Sequence, residues 1–507
     1  MENQRECGVL LPISSLPSKY GIGCFSKSAY EFADWLKEAG QSYWQILPLG
    51  PTSYGDSPYQ SFSTYAGNPY FISLEDLIEE GVLTEKECEK LETESKEGTI
   101  DYKKLYEDRY PILRKAYERS NISENPDYQQ FLAENEWWLS DYALFMAVKD
   151  RFEGRPWTEW AEDIRLRYGY AMDYYRRELY FDIEFQKYLQ FTFYKQWNKL
   201  KAYVNSLGIR MIGDIPIYVA FDGADSWAHP ELFQFDGECL PKAVAGCPPD
   251  AFSATGQLWG NPLYDWGYHK KDHYSWWIKR MEYSLKLYDV VRVDHFRGFE
   301  AYYSIPYGDP TAEFGHWEKG PGLDLFARLK KSLKKEELPI IAEDLGFLTP
   351  EVHEMLKESG FPGMKVLEFA FDDSENSDYL PHKYQENCIV YTGTHDNETL
   401  VGWYENMNRR NKSFAREYMG CRHTPKKEMH WEFIRLAMAS PAKLAVIPVQ
   451  DYLGLGAEAR INEPSTLGKN WKWRLLPGEI TGDVLKQCRR MAKLYGRLPE
   501  TVSDINM

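Results

Sequence analysis

The run VVRVDHFRGF, residues 290–299, is apolar enough for a buried strand, yet it carries Arg292, Asp294 and His295. A charge inside a core is costly unless it is paired or has a task. Acids also mark other apolar runs: Asp214 in GDIPIYV, Glu343 and Asp344 in IIAEDLG, and Asp396, beside His395, in YTGTHDNE. Residues two apart in a strand share a face, so Arg292 and Asp294 point one way while Val291 and Val293 point the other. One acid at a strand end would simply cap the following helix. Recurrence over four separate runs points to a shared site.

Clustered carboxylates suit glycosidic bond chemistry. A retaining mechanism needs one ionised carboxylate as nucleophile and one carboxylic acid to protonate the leaving oxygen. Their environments must therefore set different pKa values. Arg292 beside Asp294 favours its ionised form, which makes Asp294 the better nucleophile. Glu343 follows Ile340, Ile341 and Ala342, an apolar setting that holds a proton, so it is the better acid/base. Asp396 is then free to bind sugar hydroxyls and favour an oxocarbenium-like state, and His295 and His395 can donate hydrogen bonds or serve structure. Two other classes stay open. Acids on successive barrel strands also hold magnesium in proton-abstracting lyases and isomerases, although Arg292 would compete with the cation. A non-catalytic sugar-binding barrel fits the aromatic content but gives three acids no chemistry.

Eight short apolar runs must position these residues: 7–11, 43–49, 210–219, 290–296, 339–345, 365–371, 388–394 and 444–449. Their Ile and Val content suggests strands buried on both faces. Helical patterns lie between many of them; after the first, Ala29, Phe32, Trp35, Leu36 and Ala39 recur at helical spacing, with Gly40 as a stop. The alternation predicts an α/β fold, a (β/α)8 TIM barrel, with a doubly wound sheet as the alternative. The chain reads as one catalytic barrel over 1–507 with large inserted helical subdomains. Residues 50–208 form a mainly helical insertion. A second insertion, 220–288, holds a Gly- and Pro-bearing segment, 243–266, expected to be an irregular active-site loop.

The formal net charge of −17, without a basic stripe, argues against nucleic acid and against a highly anionic substrate. No apolar run reaches membrane-spanning length, and the polar N-terminus lacks a secretory signal. Eight scattered cysteines without a CxxC pair read as buried thiols. A cytoplasmic protein is expected, and its oligomeric state is open. Aromatic residues reach 16%, with 17 Trp and 37 Tyr; flat rings that stack on sugars are one use for them beyond core packing.

The four acid-bearing runs resemble, in order, the four short motifs of the α-amylase clan. PPDAFSATGQLWGNPLYDW and INEPSTLGKNWKWR are similar to amylomaltases, the 4-α-glucanotransferases or disproportionating enzymes of glycoside hydrolase family 77; SSLPSKYGIG and SYGDSPYQSFSTYAGNPY fit the same family. The resemblance runs from about Gly8 to Arg474. It implies retaining transfer of α-1,4-glucan segments between maltooligosaccharides, of starch, glycogen or maltose origin, with no metal and no cofactor. It implies Asp294 as nucleophile, Glu343 as acid/base and Asp396 as transition-state stabiliser. It further implies that Arg292, Asp214, His295 and His395 line the subsite of the cleaved sugar, and that Ser57, Tyr59, Asp250, Gln257, Trp259, Asp373 and Asn462 contact the glucan. Ser465 stands where the family often has Gly, which bears on the loop shape around Asn462. The short segment before Cys7 leaves no room for the added starch-binding domain of some plant members.

Three acids do not separate a transferase from an α-glucan hydrolase, because both form one covalent intermediate. Transfer needs an oriented acceptor and exclusion of water. The segment 243–266 is the candidate for this, stiffened by Pro248 and Pro249, turned by Gly246, Gly256 and Gly260, and covering the sugar with Phe252 and Trp259.

Overall fold

A computed structural model describes residues 4–92, 98–249, 253–346 and 348–499. Eight parallel strands lie at its centre: β1 (Glu6–Leu10), β2 (Tyr43–Gln45), β3 (Arg210–Pro216), β4 (Val290–Asp294), β5 (Ile340–Ala342), β6 (Gly363–Val366), β7 (Cys388–Tyr391) and β8 (Leu444–Pro448). They pair in the order β6-β7-β8-β1-β2-β3-β4-β5. The Ala342 N–H donates to the Pro362 carbonyl at 3.0 Å, just ahead of β6, which brings the two edges together as a (β/α)8 barrel. Most strand residues are buried on both faces, as the Ile- and Val-rich runs predict.

Several strands end earlier than their apolar runs. The second stops at Gln45, although Ile46, Leu47 and Leu49 stay buried. Pro48 lacks the N–H that a ladder needs. In the sixth run, the strand begins at Gly363 and gives way to a 3-10 turn, Leu367–Phe369. Gly213 in β3 makes room beside the future site: a Cβ there would meet the Tyr288 ring at 2.1 Å. The helix predicted after β1 spans Lys27–Glu38 and buries Ala29, Phe32 and Leu36, and Gly40 beyond it has φ +73°.

Between β2 and β3 the two longest helices, Pro126–Arg151 and Tyr180–Ser206, pack against each other. Their apolar side chains, Phe145 and Trp197 among them, join the same hydrophobic core as the barrel. The second helix also fastens the irregular chain that follows β2. The Gln190 amide accepts from the Gly67 N–H (2.7 Å) and donates to the Gly67 carbonyl (3.0 Å). Gln196 does the same to Ser73, at 2.7 and 3.3 Å. These bonds satisfy backbone groups that no strand or helix pairs.

The 243–266 segment is more regular than its composition predicts. Strands Ala243–Cys247 and Gln257–Pro262 belong to an antiparallel sheet with Ala301–Pro306 and His316–Lys319. Pairing with Ala301–Pro306, distant in sequence, supplies the order, and a register shift between Val244 and Gly246 accommodates the glycines. Gly256 turns the chain at φ +70°. Asp250 and Phe252 lie outside the described residues. All eight cysteines are free thiols; six are buried, while Cys239 and Cys247 are only half-buried. No helix among the described residues is long and apolar enough to cross a membrane.

Candidate active site

The register of β3 against β4 sets Asp214 opposite Arg292 and Pro216 opposite Asp294. The Arg292 guanidinium therefore lies between two carboxylates. It donates to Asp214 Oδ2 at 2.6 Å and to Asp294 Oδ1 at 2.9 Å. Arg292 is 2% exposed and Asp214 is fully buried, so each needs the other. The Tyr59 hydroxyl also donates to Asp214 Oδ2, at 2.7 Å. Below them, Tyr391 of β7 donates to Gln45 of β2 at 2.8 Å across the barrel. Replacing Arg292 with Met strands the Asp214 charge and should cost about 3–5 kcal/mol of stability. A urea unfolding midpoint that does not move would contradict this pairing.

Asp294 ends β4, and the next residue, His295, turns the chain at φ +55°. That turn aims the His295 N–H at Glu343 Oε2 (2.8 Å), and the Leu345 N–H reaches Oε1 of the same carboxyl at 2.7 Å. Glu343 directly follows β5, the neighbour of β4. Burial, reinforced by the Asp294 charge, raises the Glu343 carboxyl to about 7, against the opposing pull of Arg292 and the two N–H groups. Burial also raises Asp294, to about 6, although Arg292 opposes it. The expectation that Arg292 holds Asp294 low thus has the right sign, but desolvation outweighs it. With 29% of the Asp294 side chain open to the cleft, solvent further favours its ionised form. The sequence expectation rests on the contacts: Arg292 donates directly to Asp294, and Glu343 has no cation bonded to it among the described residues.

Asp396 follows β7. Burial pushes its carboxyl up, but His395 Nε2 at 3.2 Å from Oδ2 and the Asn462 amide, donating to Oδ1 at 2.6 Å, hold it down at about 2. Asp396 in turn raises His395 in spite of that ring's burial. The His395 ring stacks on Tyr59 with centroids 5.1 Å apart. Asp214, Arg292, Asp294, Glu343, Asp396, His295, His395, Tyr59 and Asn462 are thus joined through direct contacts at the C-terminal ends of the barrel strands.

Trp259 packs edge-on to His295 at 4.8 Å and donates its indole N–H to the Gln257 side chain at 3.1 Å, which brings the small antiparallel sheet to the site. The Ser57 hydroxyl accepts from the Tyr59 N–H at 3.3 Å and so shapes the turn that carries Tyr59. Asp373 is not drawn in: it accepts from Asn408 at 3.1 Å on the surface, and it makes no hydrogen bond to the three acids among the described residues. Ser465 adopts φ +64°, the left-handed region in which Gly is unstrained. A serine there costs about 1–2 kcal/mol, yet the loop still delivers Asn462 to Asp396.

Three neighbours were not among the residues singled out from sequence. Arg460 donates to the Asp396 carbonyl (2.9 Å) and to the Asn462 carbonyl (2.8 Å), clamping one loop to the other. Trp471 lies 5.9 Å from Tyr59 and 6.0 Å from His395, and Tyr218 lies 6.2 Å from His295. Trp471 sits within INEPSTLGKNWKWR, and Arg460 immediately precedes it; Tyr218 sits within GDIPIYV, so those runs held the signal. Among the described residues no group of three or more His, Cys, Asp or Glu side chains is arranged to hold a metal ion.

Comparison with known proteins agrees with this geometry. A family model described as 4-alpha-glucanotransferase matches residues 11–479. The 4-alpha-glucanotransferase of Clostridium butyricum is 48% identical over 96% of this chain and 99% of its own. That of Thermus thermophilus is 46% identical over 98% of this chain and all of its own. Among solved structures, an amylomaltase from Streptococcus agalactiae in complex with acarbose superposes with a TM-score of 0.94 at 41% identity, covering 98% of this chain and 100% of that one. A barrel with acids gathered at its strand ends, matched from end to end by these relatives, leaves one conclusion: the chain belongs to the 4-alpha-glucanotransferase family.

Proposed function

We propose that this 4-alpha-glucanotransferase works by double displacement, with Asp294 as nucleophile and Glu343 as acid/base. The observation that carries the reading is the geometry of the two carboxyls on neighbouring strands: Arg292 donates to Asp294 at 2.9 Å and favours its ionised form, while the Glu343 carboxyl sits one strand over, reached by the His295 N–H at 2.8 Å, where burial favours its proton. Asp294 attacks the anomeric carbon of an α-1,4-linked donor. The bond from that carbon to the leaving oxygen breaks, and the Glu343 proton passes to that oxygen. A β-linked glucosyl ester on Asp294 remains. Glu343, now ionised, takes the proton of an acceptor 4-hydroxyl, whose oxygen attacks the same carbon and frees Asp294. Two inversions give retention. Asp396, held ionised, favours positive charge on the ring in both steps. Arg292, Asp214, His295, His395 and Tyr59 hold the sugar being transferred, with Asn462 keeping Asp396 in line. Gln257 and Trp259, with Ser57 and, outside the described residues, Asp250, extend the glucan contacts. Asp373 belongs to this set only if substrate draws its surface loop inward.

Maltotriose decides between transfer and hydrolysis. Transfer yields glucose together with a ladder of longer chains; glucose and maltose without longer products would make the protein a hydrolase. The pH profile of kcat/KM should be a narrow bell. Activity rises as Asp294 loses its proton near 6 and falls as Glu343 loses its own near 7, both limbs belonging to the interacting pair. A profile flat from pH 5 to 8 would contradict the ordering. Eight free thiols support a reducing, cytoplasmic setting, and the charge of −17 supports a neutral glucan over nucleic acid as the partner.

A further inference from the structure

Asp396 lies on the turn after β7, but the amide that grips it belongs to another stretch of chain. Asn462 donates its side-chain amide to Asp396 Oδ1 at 2.6 Å, and its N–H to the His395 carbonyl at 3.1 Å. It stands at the start of a loop, 461–471, whose ends are joined by the Trp471 N–H donating to the Ile461 carbonyl at 2.7 Å. Ser465 within that loop has φ +64°, a conformation that persists only where the surroundings impose it. The loop therefore needs an external tie to the turn it serves.

Arg460 supplies that tie. Its Nη2 donates to the Asp396 carbonyl at 2.9 Å and its Nε to the Asn462 carbonyl at 2.8 Å. One planar fork thus spans the peptide of the acid and the peptide of the amide that orients it, and it fixes the distance between them. Its remaining nitrogen, Nη1, lies 3.6 Å from Glu398 Oε2. Glu398 is itself anchored: Oε1 accepts from the Thr399 N–H at 3.0 Å, and Thr399 caps the helix that follows β7, Leu400–Asn406. Two more acids lie nearby. Asp451, 1% exposed, accepts from the Leu400 N–H at 2.8 Å and from the Thr392 hydroxyl at 2.5 Å. Burial and the charges of Asp451 and Glu398 push the Glu368 carboxyl well up, and Arg460 opposes them. These acids need a positive charge at position 460 whatever its shape. The fork has a narrower use, because both of its directed bonds end on carbonyls of the Asp396 assembly. We infer that Arg460 is a positioning residue of the transfer reaction: its fork holds the Asp396 carboxylate in line with the sugar ring that gains positive charge. The inference rests on Asp396 as the acid that favours charge on that ring. Arg460 acts through Asp396, not on the sugar.

The test separates the fork from the charge. Arg460→Lys keeps a cation beside Glu398, but an ammonium cannot span both carbonyls. A small misplacement of a catalytic group is costly, so kcat for maltotriose should fall on the order of 10- to 100-fold. KM should be nearly unchanged, because Asp214, Arg292 and Tyr59, which hold the sugar, are bonded to one another. The loss should persist with α-glucosyl fluoride, a donor whose leaving group needs no proton, since Asp396 serves the ring and not the leaving oxygen. In Arg460→Ala, millimolar guanidinium should recover part of the lost kcat, because 24% of the Arg460 side chain is open and the ion can enter where the fork lay. Parental kcat in Arg460→Lys would overturn the inference, as would a raised KM at parental kcat, or a folded Arg460→Ala that guanidinium does not rescue. A loss of kcat matched by a collapsed urea unfolding midpoint in Arg460→Lys would also overturn it, making Arg460 a prop of the fold alone. Should Arg460→Ala not fold, Arg460→Lys decides by kcat, KM and midpoint. Failure of the underlying reading would appear separately, as near-normal turnover by Asp396→Asn.

Discussion

Replacing Asp294 with Asn should lower kcat for maltotriose disproportionation on the order of 10⁵-fold, with the fold intact. The amide oxygen can still accept from Arg292, which now donates to Asp294 Oδ1 at 2.9 Å, so the Asp214–Arg292 pair keeps its surroundings. What disappears is the oxygen nucleophile that forms the glucosyl ester. Glucose release and the unfolding midpoint, read together, check both halves of this result. Near-normal turnover would remove Asp294 from the chemistry, and a collapsed midpoint would give it a structural duty instead.

Replacing Glu343 with Gln should cost 10²–10⁴-fold on maltotriose, roughly the contribution of a positioned acid/base. This variant has a sharper signature than its rate. A glucosyl fluoride donor has a leaving group that needs no proton, so the first step recovers and the glucosyl ester builds up. Its breakdown still lacks a base. Azide needs none, and it should restore turnover and yield the α-glucosyl azide, because a second inversion follows the first. No response to azide, or a β-configured product, would give Glu343 another role. The Gln amide oxygen can accept only one of the two N–H groups, from His295 or Leu345, that hold the carboxylate at 2.8 and 2.7 Å, so the unfolding midpoint is read beside the rate.

The barrel and its acids were legible because each apolar run ends abruptly in polar residues, and because a strand alternates faces. Arg292 and Asp294 share a face, and the β3–β4 register then brings Asp214 to the same guanidinium. Strand ends were less legible. Ile46, Leu47 and Phe371 stay buried after their strands have ended, so hydrophobicity continues where hydrogen bonding has stopped. The small antiparallel sheet was hidden because its order comes from pairing Ala243–Cys247 with Ala301–Pro306, and composition carries no trace of that pairing. Tyr59 reaches Asp214 across 155 positions, a contact that spacing cannot suggest. Only the motif resemblance pointed to it. Arg460 was passed over for a related reason: its work is done through the carbonyls of Asp396 and Asn462, and any residue offers a carbonyl. The titration of Asp294 shows the limit most clearly. Its arginine is visible two residues away, but the burial that outweighs that arginine belongs to the assembled barrel.

The most direct measurement traps the covalent species. A fluorinated glucosyl fluoride, whose ring fluorine slows both formation and breakdown of the ester while its activated leaving group restores formation alone, should inactivate the enzyme by accumulating on it. Proteolysis and mass spectrometry should then find one fluoroglucosyl unit on the peptide that contains VVRVDHFRGF, attached at Asp294. Attachment at Glu343, Asp396 or any other residue would contradict nucleophilic catalysis by Asp294.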